Sequence, residues 1–273
     1  MIRRNYDRIF DFIFLIPFLR KPFPRDPFSK TPLGDRSRYL DIYYDSLNID
    51  DTDIKNFEKK SGFSIDLNWL NDLALHTQVC IKQSRVNFQH GRILYSKLSR
   101  YLNDLNNNSE QIIILETGTA RGFSSICMAK AIIDSNYKGI ISTIDCLPHN
   151  KKIYWNCIDD CSGKKTRGEL LSKWKKELSM IIFIQGWTNI SLDLIGVDRI
   201  NFAFLDAQHT KNNVLNEFFF VSKHQLKGDI VVFDDVTQGL FDGVCEAVKY
   251  IEENLSYDIE YLNFSKDRRY AIA

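Results

Sequence analysis

The chain has 273 residues, of which 44% are apolar and 26% are charged, and its formal net charge at pH 7 is +1. This length accommodates one large α/β domain with an accessory segment, and the composition is that of an ordinary soluble protein rather than a disordered one. Because the net charge is close to zero, the chain has no overall electrostatic attraction to nucleic acid, and no nucleic-acid partner is predicted.

Residues 1–40 form a basic, proline-rich arm. They carry nine Lys/Arg against four Asp/Glu, together with five of the six prolines. The apolar run at 9–19 is too short to span a bilayer, and Asp11 interrupts it. We favour an arm that packs on the domain or on a partner subunit of a homo-oligomer, since Pro17 would disturb a continuous interfacial helix. Contact with a membrane surface is the alternative.

Residues 41–110 are predicted to be helical. Apolar residues recur at helical spacing through Leu67, Leu70 and Leu73, and again through Ile93 and later leucines. A polar cluster at 103–110 closes the segment and marks a boundary. The segment also carries basic side chains that could face an anionic or polyhydroxylated ligand, although a solvated helix face is the favoured interpretation: His76, Lys82, Arg85, His90 and Arg92.

From residue 111 to 273, strand and helix patterns alternate, as in a parallel sheet covered on both faces. Strands are predicted at 111–116, 140–145, 181–185, 201–206 and 229–234, with helices near 123–134, 166–178, 210–225 and 241–254. Two short runs at 257–264 and 269–273 predict a terminal antiparallel hairpin. The predicted fold class is therefore α/β, with a Rossmann-like, mostly parallel seven-stranded sheet and an N-terminal helical segment.

The six cysteines are scattered along the chain without the rhythm of a disulfide scaffold or the spacing of a zinc site. This usage predicts free, reduced thiols and a cytoplasmic protein that could also be peripheral to a membrane.

The segment 112–125 has the strongest functional pattern in the chain. An apolar run ends in Glu116, Gly118 and Gly122 follow, and a helical pattern then begins. Glycines allow close approach of a ligand to the backbone, and free N–H groups at a helix start favour a negative group. The segment therefore predicts a nucleotide-like cofactor site.

Polar residues also follow the later predicted strands. Asp145 stands where an acidic residue can accept hydrogen bonds from ribose hydroxyls, and Trp187 offers an aromatic face to a purine. Asp206, Asp234 and Asp235 would bring three carboxylates together, and such a cluster repels itself unless a cation neutralises it. Oxygen ligands suit a hard ion such as Mg²⁺. Any one of these aspartates alone could instead cap a helix.

These motifs resemble the ordered motifs of class I S-adenosylmethionine-dependent methyltransferases, over about residues 111–273. Within that class they are similar to metal-dependent small-molecule O-methyltransferases of the catechol and sugar-modifying types. The chain departs from the pattern at Ala120, where the best-known glycine motif has a third glycine, and at Asp235, where the catechol type has asparagine. The matching motifs are Glu116-x-Gly-x-x-x-Gly122, Asp145, Gln185-Gly-Trp187, Leu205-Asp-Ala-Gln-His-Thr210 and Val232-Phe-Asp-Asp-Val236.

The resemblance implies a role for each matching residue. The glycine turn would surround the methionine part of the cofactor, with a serine reaching its carboxylate. Asp145 would hold the ribose hydroxyls, and Trp187 would pack near the adenine. The implied cofactor-binding residues are Glu116, Gly118, Thr119, Gly122, Ser124, Ser125, Asp145, Trp187 and Asp206.

The resemblance also implies a metal site formed by Asp206, Asp234 and Asp235, with Asp206 and His209 as catalytic residues. His209 stands where the catechol enzymes place a catalytic lysine, and its pKa near neutrality suits removal of a hydroxyl proton. A helix-start histidine that bonds locally or orients Asp206 is the alternative.

The predicted function is therefore methylation of a hydroxyl of a sugar, phenol or polyketide-like small molecule, with S-adenosylmethionine and Mg²⁺ or another divalent cation. The helical segment 41–110 would act as lid and acceptor pocket. A metal-independent methyltransferase and a non-catalytic scaffold with the same fold are the alternatives. A NAD-dependent oxidoreductase is less favoured, because the glycine spacing is not Gly-x-Gly-x-x-Gly.

Overall fold

A computed structural model describes residues 31–82, 84–105, 111–265 and 268–273. The described helices are α1 (Arg36–Leu47), α2 (Thr52–Ser61), α3 (Leu67–Thr77), α4 (His90–Leu105), α5 (Phe123–Asp134), α6 (Arg167–Leu170), α7 (Lys175–Leu178), α8 (Thr188–Ser191), α9 (Lys211–Lys223) and α10 (Asp242–Asn254). The strands are β1 (Ile112–Thr117), β2 (Gly139–Asp145), β3 (Ile181–Gln185), β4 (Phe202–Leu205), β5 (Ile230–Phe233), β6 (Glu260–Ser265) and β7 (Arg268–Ile272). Short 3₁₀ helices cover Ile158–Ser162 and Leu192–Leu194.

The seven strands form one sheet in the order β3-β2-β1-β4-β5-β7-β6. The first five strands of the chain are mutually parallel, and β7 runs antiparallel to both β5 and β6. The predicted fold class is confirmed. The strand order reverses between β1 and β4, and ligands of such sheets bind in the crevice outside the carboxyl ends at that point.

Both faces of the sheet are buried. Because successive side chains of a strand point to opposite faces, Ile114 of β1 and Phe204 of β4 pack under α4 and α5. Leu115 and Leu205, one residue further along the same strands, pack under α9 and α10. Burial on both sides explains why these strands are near-continuous apolar runs in the sequence.

The N-terminal segment is helical, as predicted, and shares the first of these cores with the sheet. Ile54 of α2 and Leu70 of α3 belong to the same buried cluster as Ile112 of β1. The ring of Phe57 meets that of Phe264 edge-on, with 6.4 Å between centroids. The helical segment therefore packs directly on the sheet.

Two element boundaries differ from the predictions. Helix α1 begins before the predicted limit at residue 40, because the Asp35 carboxylate accepts a hydrogen bond from the N–H of Arg38 at 2.9 Å and caps the helix. The single helix predicted near 166–178 is two short helices. The N–H of Trp174 donates to the Leu171 carbonyl at 2.9 Å, and this three-residue turn interrupts the α-helical pattern.

Residues 1–30, which include the predicted apolar run, and 106–110, which include the predicted boundary, lie outside the described residues. Among the helices that the structure describes, none has the length and apolar character needed to cross a bilayer. All six cysteines lie in the described ranges and none is bonded to another, in agreement with the predicted free thiols.

His90 is buried at the start of α4 between aromatic rings. It stacks on Phe204, with 6.1 Å between centroids and 9° between planes, and meets Phe123 edge-on at 4.8 Å. Burial lowers the pKa of His90 from 6.5 to about 4, although the charge of Asp234 opposes the shift. Since the neutral imidazole is the form that the folded protein favours, His90 makes stability depend on pH.

Between pH 6.5 and about 4 the unfolded chain binds more protons at this site than the folded protein, so stability falls as the pH drops through that range. From pH 7 to pH 5 we expect the free energy of unfolding to fall by about 2 kcal/mol more in the wild type than in His90→Phe. Urea denaturation at each pH measures the difference. Parallel pH dependence in the two proteins would show that His90 titrates normally in the folded state.

Candidate active site

The carboxyl ends of β1, β2 and β4 meet at one edge of the sheet. Thr117 pairs in register with Ile144 of β2 and with Leu205 of β4. The residues that follow these three are therefore neighbours, and Asp145 and Asp206 flank the glycine turn. This edge is the switch point of the strand order, so the predicted site residues lie where the fold binds ligands.

Glu116 is fully buried at the base of the turn. Its two carboxylate oxygens accept short hydrogen bonds from the hydroxyls of Ser124 and Ser125, in the first turn of α5. Burial raises the pKa of Glu116, and the serine hydroxyls act in the opposite direction. The sequence predicts that Ser124 or Ser125 reaches the carboxylate of the cofactor. In the structure both hydroxyls donate to Glu116, a buried carboxylate that needs hydrogen-bond donors.

The glycine turn follows a path that side chains disfavour. Gly118 and Gly122 have φ values of +90° and +93°, and Ala120 between them has φ +46°. At Gly118 an added β-carbon would lie 2.0 Å from the carbonyl oxygen of Asp206. Glycine is therefore required at this position both for its conformation and for the close approach of two strand ends. Thr119 is buried, with its hydroxyl 2.5 Å from that of Thr143.

Asp145 lies beside the glycine turn, at the end of β2. One carboxylate oxygen accepts a hydrogen bond from the N–H of Ala120 at 2.5 Å, and the other accepts from the N–H of Leu147 at 2.6 Å. Each oxygen retains a second lone pair, which a ligand hydroxyl could use. The carboxylate is thus oriented by backbone donors while it remains able to accept from a ribose.

Trp187 lies on the same edge, one strand further out. The β3 residue Gln185 pairs in register with Asp145, and the N–H of Gly186 donates to the Asp145 carbonyl at 2.9 Å. Trp187 follows directly and precedes α8. Trp187 is half-buried and lies two residues after Gln185, the strand end that pairs with Asp145.

On the other side of the glycine turn, Asp206, His209 and Asp235 form a cluster whose potential ligand atoms all lie within 4.8 Å of one another. The Nε2 atom of His209 lies 3.6 Å from Asp206 Oδ1 and 3.3 Å from Asp235 Oδ2. This nitrogen is buried and has no hydrogen-bond partner among the described residues. A cation placed between the two carboxylates and the imidazole would satisfy all three.

The electrostatics of this cluster depend on its burial and on three nearby negative charges. Burial and the charge of Asp234 raise the pKa of both Asp206 and Asp235. Burial alone would lower the pKa of His209, but Asp206 and Asp235 outweigh it, and the net shift is upward. A bound divalent cation would reverse this balance, because it stabilises the ionised carboxylates and the neutral imidazole.

The cluster differs in one member from the predicted trio of Asp206, Asp234 and Asp235. Asp234 is nearly fully buried, and its Oδ1 accepts from the N–H of Asp235 at 2.6 Å and lies 3.4 Å from Arg268 Nη1. The same guanidinium nitrogen lies 2.9 Å from Asp235. Asp234 therefore accepts within its own turn and pairs with Arg268, while the closest group of possible ligand atoms consists of Asp206, His209 and Asp235. The predicted role of Asp234 as a metal ligand stays a prediction.

The backbone of His209 is held by the start of α10. A β-carbon at Gly243 would lie 2.4 Å from the His209 carbonyl oxygen, so the helix can approach this closely only with glycine there. The ring of Phe241 packs on the imidazole with 4.6 Å between centroids. His209 is thus fixed by packing as well as by charge.

Glu217 of α9 is a buried carboxylate below this edge that the sequence motifs do not include. It accepts hydrogen bonds from the hydroxyls of Thr117 and Thr188, each at 2.7 Å. Burial raises the pKa of Glu217 to about 7. With Asp206 and His209 it lines a small cavity of about 10 Å³, which is close to the size of one water molecule. A glutamate at helical spacing from apolar residues would have been the only local signal for it.

Most of the basic side chains of the helical segment have structural partners. The His76 ring is 2.5 Å from Asp159, and Arg85 donates to two backbone carbonyls. Arg92 is buried and pairs with a glutamate of α2. Lys82 differs, since it makes no hydrogen bond or ion pair with residues in the described ranges and lies within electrostatic reach of Asp235. The basic side chains of the helical segment therefore do not form a solvated helix face, because most of them are buried or paired.

Comparison with known proteins agrees with this geometry. The model of a family described as a methyltransferase domain matches residues 115–236. The match runs from the end of β1 through the glycine turn to the carboxylates after β5, and the resemblance to class I methyltransferases is confirmed for this domain. Curated protein sequences give no significant match to the chain.

Solved structures share the fold of the methyltransferase domain and of the helices before it. The cofactor-bound structure of Rv0187 from MTB is 15% identical, covers 85% of this chain and 94% of its own, and has a TM-score of 0.52. CalS11, described as a TDP-rhamnose 3'-O-methyltransferase of calicheamicin biosynthesis, is 13% identical, covers 86% and 91% of the two chains, and has a TM-score of 0.50. At these identities the likeness shows the fold.

Proposed function

We propose that the protein transfers a methyl group from S-adenosylmethionine to a hydroxyl of a small molecule or sugar, with the help of a divalent cation such as Mg²⁺. The observation that carries the proposal is the contact between Gly118 and Asp206. It places the glycine turn, which would hold the methyl donor, directly against the cluster that would hold the cation and the acceptor.

Support for the cofactor comes from three groups on one edge of the sheet. The left-handed glycine turn precedes the N-terminus of α5, where free N–H groups favour a carboxylate. Asp145 keeps lone pairs that ribose hydroxyls could use, and Trp187 follows the neighbouring strand end, where it could pack on the base. In this proposal the amino-acid part of S-adenosylmethionine binds at the turn and its adenine extends towards β3.

Cofactor binding is tested by calorimetry with S-adenosylhomocysteine and Asp145→Asn. The amide keeps the side-chain volume but loses one acceptor oxygen, so we expect affinity to fall roughly tenfold to a hundredfold. Asp193→Asn, which makes the same change on an exposed 3₁₀ helix, should bind like the wild type. If the wild type binds neither S-adenosylmethionine nor S-adenosylhomocysteine, the scaffold alternative replaces the enzyme.

The cation site is supported by the donor set of the cluster. Two carboxylates and one buried imidazole nitrogen without a hydrogen-bond partner are ligands that a divalent ion can use together. When bound, the cation would lower the pKa of the acceptor hydroxyl and orient its oxygen. Asp206, His209 and Asp235 would hold it, while Arg268 neutralises the remaining charge of Asp234.

The reaction requires that the hydroxyl oxygen attack the methyl carbon in line with the sulfur. The carbon–sulfur bond breaks and its electron pair stays on sulfur, which becomes a neutral thioether. A carbon–oxygen bond forms, and the hydroxyl proton is released to solvent. Holding the two partners at attack distance can supply about 7–11 kcal/mol of the barrier reduction. The protein's part is thus positioning, exclusion of water and removal of one proton.

His209 cannot serve as ligand and base through the same lone pair of Nε2, and the structure favours the ligand role because both carboxylates flank that atom. For His209→Gln we expect the Mg²⁺ concentration at half-maximal activity to rise about tenfold or more. A base would behave differently, with a lower maximal rate at saturating Mg²⁺ and an unchanged metal requirement. Steady-state kinetics over a Mg²⁺ series separates the two roles.

The acceptor would bind between the cluster and the segment that leads into α4. Lys82 lies within electrostatic reach of Asp235, and His90 is within reach of Asp234, so both side chains lie near this side of the site. This arrangement supports the lid and acceptor role predicted for the helical segment. Acceptor screening with sugar, phenol and polyketide hydroxyls tests it, and a nucleic-acid substrate is not expected.

A metal-independent methyltransferase is the second candidate, and Arg268 is the observation that favours it. Its guanidinium lies within 3.4 Å of Asp234 and 2.9 Å of Asp235, so part of the negative charge is already neutralised by the protein. Activity that survives treatment with a chelator would decide for this candidate.

A further inference from the structure

Ala120 occupies the tip of the glycine turn in a conformation that an L-amino acid disfavours. Its φ is +46°, in the left-handed region that glycine adopts freely. It also stands where the best-known glycine motif of class I methyltransferases has a third glycine. Some other part of the protein must therefore hold the turn in place at this position.

Both backbone polar groups of Ala120 are bonded to buried or strand-end side chains. Its N–H donates to Asp145 at 2.5 Å, and its carbonyl accepts from the Nε atom of Arg167 at 3.0 Å. Together these two hydrogen bonds fix the orientation of the two peptide planes that flank Ala120, which is what a left-handed residue needs to persist.

Arg167 is built into this position. The side chain is almost fully buried, and its guanidinium lies 5.3 Å from the ring centroid of Trp155 and 5.4 Å from that of Phe183. The backbone N–H of Arg167 donates to the His149 carbonyl at 3.1 Å. Two aromatic rings and one backbone bond thus hold the planar group in a single orientation.

Arg167 forms no ion pair with the described residues. No carboxylate of the described residues lies within 4.0 Å of it, and Nη2 is buried without a hydrogen-bond partner in those residues. Burial lowers the pKa of Arg167, and the charges of Asp145 and Glu116 oppose the shift. The hydrogen bond from Nε to the Ala120 carbonyl is therefore the polar contact that connects the buried guanidinium to the loop.

The segment around Trp155 is also bonded to the glycine turn. Arg121, the residue after Ala120, donates from Nε to the Trp155 carbonyl at 2.5 Å and from Nη2 to the Asn156 carbonyl at 3.3 Å. Trp155 therefore contacts both arginines. The cofactor loop and the segment around Trp155 are therefore connected through the side chains of Arg121 and Arg167.

We propose that Arg167 is a positioning residue that holds Ala120 in its left-handed conformation and so keeps the cofactor loop ready to bind S-adenosylmethionine. The proposal rests on the proposed function. In this chain a hydrogen bond from the buried Arg167 guanidinium would hold the left-handed conformation that a third glycine adopts without support.

Rescue by glycine tests the proposal. Arg167→Gln should weaken S-adenosylhomocysteine binding roughly tenfold to a hundredfold, because the loop then leaves the competent conformation. Ala120→Gly in the Arg167→Gln background should recover about tenfold, since glycine adopts this φ without support. Ala120→Gly alone should change affinity less than about threefold. Calorimetry on the four proteins gives the coupling between the two sites.

Controls separate this role from a structural one. Lys173→Gln removes a positive charge from the exposed ion pair between Lys173 and Asp72, and it should leave the affinity for S-adenosylhomocysteine unchanged. Thermal unfolding shows whether Arg167→Gln folds. If it does not fold, Arg167→Lys, which keeps a hydrogen-bond donor, takes its place in the same measurements. Wild-type affinity in Arg167→Gln, or a loss that Ala120→Gly does not restore, would overturn the proposal.

Hydrogen exchange distinguishes this outcome from failure of the proposed function. Without any cofactor, Arg167→Gln should increase exchange of the amides in 118–122, and Ala120→Gly in that background should restore part of the protection. That result would stand even if the wild type bound no S-adenosylhomocysteine. Unchanged exchange in Arg167→Gln would overturn the positioning role itself.

Discussion

Replacing Gly118 by alanine is expected to abolish S-adenosylhomocysteine binding and to lower the free energy of unfolding by about 3 kcal/mol or more. The φ of Gly118 is +90°, and a β-carbon would lie 2.0 Å from the Asp206 carbonyl oxygen. That oxygen cannot move freely, because the N–H of Asp206 donates to the Thr117 carbonyl at 3.0 Å. Relief would require the ends of β1 and β4 to separate. Calorimetry and urea denaturation measure the two effects.

Gly168→Ala is the matched control for this prediction. No atom lies within 4 Å of the added β-carbon, and the residue is in α6. We expect its stability to stay within about 1 kcal/mol of the wild type and cofactor affinity to be unchanged. Near-normal binding by Gly118→Ala would show that the glycine turn and the Asp206 strand end are not in contact in solution.

Asp235→Asn is expected to lower metal-dependent methyl transfer about a hundredfold or more while S-adenosylhomocysteine binding is retained. The amide has nearly the same volume as the carboxylate but offers the cation one neutral oxygen. Asp235 also pairs with His209 and Arg268, so the substitution removes the negative charge next to both side chains. Activity over a Mg²⁺ series and parallel calorimetry with S-adenosylhomocysteine measure the two consequences separately.

Glu246→Gln on the exposed side of α10 makes the same change in charge away from the site and should leave both quantities unaltered. Treatment of the wild type with a chelator should reproduce the loss seen in Asp235→Asn, and added Mg²⁺ should restore it. Full activity of both Asp235→Asn and the chelated wild type would exclude the cation site and leave Arg268 as the group that balances the carboxylates.

The positions of the strands could be predicted because their signal is local. β1 and β4 are buried on both faces and therefore read as continuous apolar runs, and the predicted limits fall within a few residues of the observed ones. Asp145, Asp206 and Asp235 could be assigned to one edge for a related reason, since all parallel strands end on the same side of a sheet. The helix predicted near 166–178 failed because a single tight turn before Trp174 interrupts it, and helical periodicity continues across such a turn.

The sequence alone determined the order of strands and helices, the sheet edge that carries the site and the identity of the residues at that edge. These follow from periodicity and from residues adjacent in the chain. The tertiary structure decided which neighbours face one another: His209 beside both Asp206 and Asp235, the two serines on Glu116, and Arg167 on Ala120. Each of these contacts depends on the angle at which a strand end meets a helix or loop, and packing between distant segments sets that angle.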